Sequence, residues 1–308
     1  MSHSEHLYYI LTHNNERYRD LLKSYQPDGL TETKDRSQAT ILLASPPMAA
    51  TCLGDFPKLE WLQSIYAGVD ALIGSDLRKD YQLTNIKGIF GQLISEYVLG
   101  FLTSHHRHFV YYKYQQRKQQ WKPCRYRSLA GETMVILGTG SIGSHLSQVA
   151  GALGIRTLGI NRSGIPPKQS AFDQIFHINE INTALSQAQI VVNTLPATPE
   201  TDKLINREFL SYCNQAILFN VGRGQTLDEE ALIPAIEAKY IQHAYLDVFC
   251  KEPLDNDHPF WQHPNITVTP HIAAVSFPDQ VAEEFAANFQ RWRDGFSLHN
   301  RIDFDKGY

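Results

Sequence analysis

The sequence predicts an α/β protein made of two doubly wound parallel-sheet domains. Short apolar runs alternate with amphipathic stretches along most of the 308 residues, which is the pattern of strands and helices in consecutive βαβ units. A glycine-rich turn joins one apolar run to a helix near the middle of the chain. With 43% apolar and 19% charged residues, the chain is long enough to bury two cores.

The first and smaller domain begins with apolar runs that are expected to be buried parallel strands, with helices between them. These runs cover residues 7–11, 40–44 and 61–66. A long helical stretch then begins near Gly91 and continues into polar sequence before Pro123. Its apolar side chains recur at helical spacing, so we expect one helix that connects the two domains.

The second domain shows a regular alternation from Glu132 onward. The predicted strands cover residues 133–137, 155–160, 189–193, 216–221, 243–248 and 265–269, and the first helix covers 141–153. A last helix, with Phe285 and Phe289 on its apolar stripe, ends near Gly295 and is expected to pack on the first domain. The predicted domains are therefore 1–95 with 276–308, and 96–275.

Composition and charge indicate a cytoplasmic protein with a small-molecule partner. The net charge of −4 comes from intermixed signs, which argues against nucleic acid or a membrane as partner. The first residues lack the character of a signal peptide, and no apolar run approaches about 18 residues. Four scattered cysteines without C-x-x-C spacing and the neighbouring His105, His106 and His108 are not expected to bind metal.

The glycine-rich turn is the first motif that indicates chemistry. It consists of Gly138, Thr139, Gly140, Ser141, Ile142 and Gly143 and follows the apolar run that ends at Leu137. A G-x-G-x-x-G motif alone is a weak signal, but between a strand and an amphipathic helix it lets the backbone approach a pyrophosphate at the helix N-terminus. The second domain is therefore predicted to be a Rossmann dinucleotide-binding domain.

The end of the following strand indicates which dinucleotide is bound. An acidic residue is expected there when the ribose 2′-hydroxyl is held, but the sequence reads Asn161, Arg162 and Ser163. Without the carboxylate a 2′-phosphate is not repelled, and the guanidinium can bind it. NADP(H) is therefore the preferred cofactor, and NAD(H) remains possible.

Three segments place ionisable side chains just past the ends of apolar runs. They are Val221-Gly222-Arg223-Gly224, Asp247 to Pro253, and Thr269-Pro270-His271. Arg223 could grip a carboxylate and a neighbouring carbonyl oxygen, and His271 could give that oxygen a proton. Glu252 would pair with the imidazolium and raise its pKa. Together these side chains predict proton-coupled chemistry on a small anion.

In their order along the chain, these motifs resemble the D-2-hydroxyacid dehydrogenase family over nearly the full length. The matching segments are Tyr66 to Asp70, Gly138 to Gly143, Asn193 to Pro196, Val221 to Gly224, Asp247 to Phe249 with Glu252 to Leu254, and Thr269 to Ala274. The resemblance implies a flavodoxin-like substrate domain beside the dinucleotide-binding domain. It also implies a homodimer, with the helix from about Gly91 to Gln120 in the interface.

The resemblance implies roles for particular residues. Arg223, Glu252 and His271 become the catalytic residues, and Asp247 contacts the nicotinamide amide. Backbone amides around Ala67, Gly68 and Val69 hold the substrate carboxylate. Further cofactor contacts are expected at Thr194, Leu195, Pro196, Val221 and Gly222, and a further substrate contact at Tyr66.

Within this family, the sequence most resembles the glyoxylate/hydroxypyruvate reductases of the A type. The segments that carry this resemblance are the basic residues after the second strand, the run from Pro264 to Pro278 and the terminal Lys306-Gly307-Tyr308. The resemblance therefore implies NADPH-dependent reduction of a small 2-keto acid to the D-2-hydroxy acid. Two alternatives stay open at this point: an NAD-dependent D-lactate or phosphite dehydrogenase, and a non-catalytic scaffold that senses dinucleotides. Packing, rather than substrate contact, is an equally good interpretation of Tyr66 and Trp121, and Cys250 is expected to be inert.

Overall fold

The computed structural model describes residues 6–25 and 28–304, so the terminal Lys306-Gly307-Tyr308 segment lies outside the described residues. The backbone divides into two compact units. Unit 1 comprises Met1–Ile89 with Val275–Tyr308, and unit 2 comprises Phe90–Ala274. The sequence-based boundary falls later, at residue 95, but Ile94 is already buried in the core of unit 2 together with Val98.

The strands and helices follow one another along the described residues as the βαβ pattern predicts. The strands are β1 His6–Leu11, β2 Leu30–Glu32, β3 Ile41–Ala44, β4 Trp61–Ser64, β5 Gln82–Thr84, β6 Thr133–Leu137, β7 Arg156–Asn161, β8 Gln174–His177, β9 Ile190–Asn193, β10 Ala216–Asn220, β11 Ile241–Leu246 and β12 Ile266–Val268. The helices are α1 Asn15–Tyr25, α2 Pro46–Ala50, α3 Phe90–His106, α4 Phe109–Arg117, α5 Ser141–Ala152, α6 Ile181–Leu185, α7 Arg207–Ser211, α8 Glu229–Glu237 and α9 Pro278–Arg293.

Unit 1 is built on a five-stranded parallel sheet in the order β2-β1-β3-β4-β5. The last helix, α9, packs on this sheet: the Phe285 ring stacks on Trp61 with their centroids 5.1 Å apart. A buried polar network joins the same helix to the strands, because Asn288 Nδ2 donates to Gln63 Oε1 over 3.1 Å. The helix α9 therefore completes the core of unit 1, although it is far from the strands of that unit in sequence.

Unit 2 is built on a seven-stranded parallel sheet in the order β12-β11-β10-β9-β6-β7-β8. Alternate residues of β6 enter different cores: Met134 and Ile136 pack with α3 and α5, whereas Val135 and Leu137 pack with α6, α7 and α8. Both faces are covered, which explains why the strands read as continuous apolar runs. The strand order reverses between β6 and β9, where a doubly wound sheet binds ligands.

The prediction of two doubly wound parallel sheets is confirmed, with two kinds of local difference. The strands that the sequence pattern missed, β2, β5 and β8, are short edge strands and lack a continuous apolar run. The prediction of one long helix is wrong, because α3 ends at His106 and α4 begins at Phe109. His108 between them has a left-handed φ of 55°, which an α-helix cannot continue through.

Candidate active site

The three ionisable side chains predicted from the sequence follow adjacent strands of unit 2. Arg223 follows β10, Glu252 follows β11 and His271 follows β12, and these strands are neighbours in the sheet. Because the strands are parallel, their carboxyl ends lie at one edge. The charge of Arg223 acts on both other side chains: it contributes to the lowered pKa of Glu252 and opposes the raised pKa of His271. The structure therefore brings all three together.

Glu252 and His271 form a direct pair. Glu252 Oε2 lies 2.8 Å from His271 Nδ1, while Oε1 accepts a hydrogen bond from the Phe249 backbone N–H over 2.9 Å. The hydrogen bond to Glu252 raises the pKa of His271 above its usual value, against the opposing effects of burial and of Arg223. Burial alone would raise the pKa of Glu252, but its hydrogen bonds to His271 and Phe249 bring it below the usual value.

Arg223 lies between two glycines that permit close backbone contacts. A Cβ at Gly222 would meet the Leu195 carbonyl oxygen at 2.5 Å, and a Cβ at Gly224 would overlap the Phe249 backbone. Arg223 Nη1 donates to the Gly222 carbonyl oxygen over 2.8 Å. The glycines therefore bring the Arg223 loop directly against the segments that carry Leu195 and Glu252.

Sequence reasoning missed three buried polar residues that hold the Arg223 loop. Asn193 Nδ2 donates to Asn220 Oδ1 over 2.8 Å and to Thr226 Oγ1 over 2.6 Å. Thr226 Oγ1 in turn donates to the Arg223 carbonyl oxygen over 2.6 Å. A signal was present, because each asparagine is the last residue of a strand that is otherwise apolar. Buried amides of this kind persist when they are hydrogen-bonded.

The glycine-rich turn has the geometry that a dinucleotide requires. Gly138 has a φ of 96°, and a Cβ at Gly143 would overlap the Gly138 carbonyl oxygen. Gly140 is the N-cap of α5, no side chain caps that helix, and a Cβ at Gly140 would meet nothing within 4 Å. Two glycines thus close the turn, while the third leaves open space beside the helix N-terminus, which fits a pyrophosphate.

The segment Thr194-Leu195-Pro196 connects this turn to Arg223. Thr194 Oγ1 donates to the Leu137 carbonyl oxygen over 2.8 Å, and a Cβ at Gly138 would meet Thr194 Oγ1 at 2.9 Å. Leu195 contacts Gly222, as described above, and Val221 donates its backbone N–H to the Asn193 carbonyl oxygen over 3.1 Å. The predicted cofactor residues that follow β6, β9 and β10 therefore lie side by side. They surround the switch point of the sheet, which is the place between β6 and β9 where the strand order reverses.

The turn after β7 is organised by Asn161. Its Nδ2 donates to Thr139 Oγ1 and to the Ile165 carbonyl oxygen, each over 2.9 Å. Its Oδ1 accepts from the backbone N–H of Ser163 over 3.0 Å and of Gly164 over 2.7 Å. Arg162 and Ser163 are exposed at this turn. The Asn161 side chain therefore shapes the turn, and Arg162 and Ser163 are the residues that it presents to solvent.

Asp247 is buried behind His271. Its carboxylate accepts hydrogen bonds from Thr269 Oγ1 and from the backbone N–H groups of Ile272 and Ala273. Among the described residues, these bonds use three of the roughly four acceptor positions of a carboxylate. The contact of Asp247 with the nicotinamide amide stays a prediction.

The predicted substrate-binding segment lies in unit 1, after β4. The Asn85 side chain donates to the Ala67 carbonyl oxygen over 2.6 Å, and Ser64 Oγ hydrogen-bonds both the backbone N–H and the carbonyl oxygen of Tyr66. Side chains of the strand ends therefore fix the peptide groups that precede Gly68 and Val69. Tyr66 is 38% exposed.

The other residues that the sequence singled out are placed as follows. His105 contacts Tyr245 over 3.0 Å, and within residues 6–25 and 28–304 no set of three His, Cys, Asp or Glu side chains could hold a metal ion. Burial raises the pKa of the Cys250 thiol to about 11, so this thiol stays protonated near neutral pH. Trp121 is 98% exposed.

Among the helices of the described parts of the chain, none combines the length and the hydropathy that a bilayer crossing requires.

A seven-stranded doubly wound sheet with a glycine-rich turn at its switch point defines the class of dinucleotide-binding α/β proteins. Residues 99–273 match the family model described as "D-isomer specific 2-hydroxyacid dehydrogenase, NAD binding domain". The chain therefore belongs to the D-isomer specific 2-hydroxyacid dehydrogenase family, a family of oxidoreductases, and the resemblance inferred from its motifs is confirmed.

Full-length relatives agree with this assignment. Glyoxylate/hydroxypyruvate reductase A of Serratia proteamaculans (strain 568) is 33% identical over 285 residues, which are 89% of each chain. A family member from Aeromonas salmonicida subsp. salmonicida A449 is 42% identical, with a TM-score of 0.93 over 98% of this chain and 100% of its own. A member from Xanthobacter autotrophicus Py2, solved with NADPH and MES, is 28% identical, with a TM-score of 0.86 over 99% and 100%.

Proposed function

We propose that this protein reduces a small 2-keto acid of the glyoxylate or hydroxypyruvate type to the D-2-hydroxy acid with NADPH. The observation that carries the proposal is the 2.8 Å pair of Glu252 and His271 beside Arg223 at the ends of adjacent strands. An imidazolium held by a carboxylate is a proton donor, and a neighbouring guanidinium binds an anion. The name of the Serratia relative supports the same class of substrate.

Each side chain has a separate part in the proposed reaction. Arg223 binds the substrate carboxylate and the neighbouring carbonyl oxygen, which develops negative charge as the carbonyl is reduced. His271 keeps its Nδ1–H on Glu252, so its Nε2–H is the proton given to that oxygen. NADPH, when bound, supplies the hydride that reaches the carbonyl carbon. The backbone amides of residues 67–69, in unit 1, are a separate proposed substrate contact.

The choice of NADPH rests on the turn after β7. Arg162 and Ser163 are exposed there, and no carboxylate ends the strand, because Asn161 stands in that position. A guanidinium and a hydroxyl bind a 2′-phosphate, whereas a carboxylate would repel it. The 28% identical Xanthobacter relative holds NADPH, which supports carrying this cofactor to the present chain.

A homodimer is proposed as the working assembly. The segment around α4 exposes several large apolar side chains: Phe109 at 53%, Val110 at 79%, Tyr114 at 51% and Trp121 at 98%. Several exposed large apolar side chains on one short segment favour an interface there. A molecular mass near 70 kDa in solution, about twice the 35.0 kDa of the chain, is the expected result of light scattering.

The test of the function is a set of initial rates. Glyoxylate, hydroxypyruvate and pyruvate are reduced with NADPH or NADH, and phosphite is oxidised with NADP⁺ or NAD⁺. We expect the highest kcat/KM with NADPH and one of the first two substrates. Higher rates with phosphite would support a phosphite dehydrogenase, and higher rates with pyruvate and NADH would support a D-lactate dehydrogenase. No turnover of any substrate would support a non-catalytic scaffold that senses dinucleotides.

The role of His271 is tested by His271→Ala, which should lower kcat at least roughly a hundredfold. His258→Ala is a matched control, because His258 also faces a glutamate, with Nε2 3.8 Å from Glu229 Oε2, and should keep its kcat. Unchanged turnover in His271→Ala would contradict the proposed proton donor.

A further inference from the structure

The backbone of His271 has a conformation that a residue with a Cβ rarely adopts. Its φ is 54°, in the left-handed region. Such a residue keeps this conformation only when its surroundings hold it there. Part of the restraint is the bond from the His271 backbone N–H to the Asp247 carbonyl oxygen, over 2.9 Å. The same N–H lies 3.1 Å from the Thr269 carbonyl oxygen, and further restraints come from the Asp247 side chain.

The Asp247 carboxylate fastens the chain on both sides of His271. Oδ1 accepts from Thr269 Oγ1 over 2.6 Å and from the Ile272 backbone N–H over 2.8 Å, and Oδ2 accepts from the Ala273 backbone N–H over 2.8 Å. Asp247 is only 2% exposed, so water competes little with these bonds. The Asp247 carboxylate and Thr269 therefore fix the backbone on both sides of His271, and this backbone sets the direction of the imidazole.

One further side chain acts on Thr269 from α3. The Tyr97 hydroxyl lies 2.7 Å from Thr269 Oγ1. A threonine hydroxyl has a single proton, and Thr269 gives it to the Asp247 carboxylate, so Tyr97 must be the donor in its bond to Thr269. The Tyr97 ring packs edge-on against Phe101 with the centroids 4.8 Å apart. The position of the hydroxyl is therefore set by the packing of the helix.

We propose that Tyr97 is a positioning residue for His271, acting through Thr269 and Asp247 to keep the imidazole against Glu252. The proposal rests on the proposed function, in which His271 is the proton donor. Burial raises the pKa of Tyr97 above its usual value, so the hydroxyl remains a donor throughout the working range of pH. The charged groups that act on His271 itself are Glu252, Arg223 and Asp247.

The test is Tyr97→Phe, which keeps the ring and its packing and removes only the hydroxyl. We expect kcat to fall roughly fivefold, as for the loss of one part-buried hydrogen bond, with KM for the keto acid and for NADPH within about twofold of wild type. The high-pH limit of kcat/KM should move down by about half a pH unit, because a displaced imidazole pairs less well with Glu252. A merely structural role would lower the unfolding midpoint and leave both kinetic results unchanged.

Tyr245→Phe is the matched control. Tyr245 is another tyrosine of unit 2, more deeply buried than Tyr97, and its hydroxyl lies 3.0 Å from His105 Nδ1 on α3. Its loss should leave kcat and the pH profile unchanged. An equal fall of kcat in Tyr97→Phe and Tyr245→Phe would overturn the specific role of Tyr97.

A double-mutant cycle with Thr269 completes the test. Thr269→Val also removes the bond to Asp247, so it should lower kcat at least as much as Tyr97→Phe. Thr269→Ser should keep the activity, and Tyr97→Phe should add nothing in the Thr269→Val background. Additive losses would overturn the proposed chain. His271→Asn separates the two proposals: full turnover in this variant refutes the proposed function, whereas lost turnover beside a Tyr97→Phe enzyme with wild-type kinetics refutes only the role of Tyr97.

Discussion

The side chain of His271 is controlled by two acidic residues with different tasks. Glu252 contacts the imidazole and sets its pKa, while Asp247 contacts the backbone around it and sets its direction. Sequence reasoning identified Glu252 and His271 from their places after strands. It could not identify the backbone bonds of Asp247, because they depend on a left-handed residue that no local pattern announces.

Glu252→Gln should change the pH range in which the protein reduces its substrate. The hydrogen bond to Glu252 is the largest cause that raises the pKa of His271, so its loss lowers that pKa. In the proposed reaction the reduction needs the imidazolium, so activity is expected to fall as pH rises through the pKa of His271. We expect the high-pH limit of kcat/KM to move down by about one unit in the variant. A profile that is unchanged or moves upward would contradict the pairing.

Asn161→Asp tests whether Asn161 shapes the turn or contacts the cofactor. An aspartate cannot donate to Thr139 and would place a negative charge against the Ile165 carbonyl oxygen. We expect affinity for both NADPH and NADH to fall, by roughly tenfold or more, from the loss of two hydrogen bonds. Fluorescence titration of both cofactors is the measurement.

Arg162→Ala is the comparison for that variant, because it leaves the bonds of Asn161 in place. It should weaken the binding of NADPH and leave the affinity for NADH unchanged, since only NADPH carries the 2′-phosphate. Tighter NADH binding by Asn161→Asp, without loss of stability, would show instead that Asn161 selects the cofactor directly.

Among the elements, the junction of β6 and α5 combines two requirements that glycine meets for different reasons. Gly143 lets the helix approach the Gly138 carbonyl oxygen, whereas Gly140 faces open space. The motif predicts both from the sequence, because its spacing is tied to one local geometry. The division between α3 and α4 was not predictable in the same way, since His108 has no sequence feature that requires its φ of 55°.

Gly140→Ala should separate cofactor binding from folding. The added Cβ meets no protein atom within 4 Å, so the free energy of unfolding should stay within about 1 kcal/mol of wild type. The same Cβ occupies the space proposed for the pyrophosphate, and NADPH affinity should fall at least roughly tenfold. Gly151→Ala, also in α5 and also without neighbours within 4 Å, should leave NADPH affinity unchanged. Equal affinities in the two variants would contradict the assignment of the turn.

For the whole molecule, the strength of the sequence signal followed the continuity of the apolar runs. Central strands of both sheets were predicted because they are such runs, whereas β2, β5 and β8 were missed because polar residues interrupt them. The ionisable residues after β10, β11 and β12 were predictable because strand ends are fixed by the same pattern. The buried amides of Asn193 and Asn220 were not assigned, since their partners come from different strands and become neighbours only in the folded sheet.

The two units should respond separately to a core mutation and to the cofactor. Phe285 is fully buried on Trp61 in unit 1, and Phe285→Ala should destabilise that unit by about 3–5 kcal/mol. NADPH should stabilise unit 2, where its proposed contacts lie. Calorimetry should therefore show one transition lowered by the mutation and another raised by NADPH. Gln290→Ala, at an exposed position of α9, is the control, and a single transition moved by both changes would contradict independent units.

The continuous stretch Phe90–Ala274 contains all the residues that are proposed to hold or assist the proton donor. They are Tyr97, Arg223, Asp247, Glu252, Thr269 and His271. The segment at residues 66–69, proposed to recognise the substrate, is encoded outside that stretch. Recombination at residues 89 and 274 would replace unit 1 of one relative by unit 1 of another. The hydrogen bonds of His271, the proposed proton donor, lie within unit 2 and would be kept. Under the proposed function, such an exchange would change the substrate of the enzyme while its proposed acid catalysis is kept.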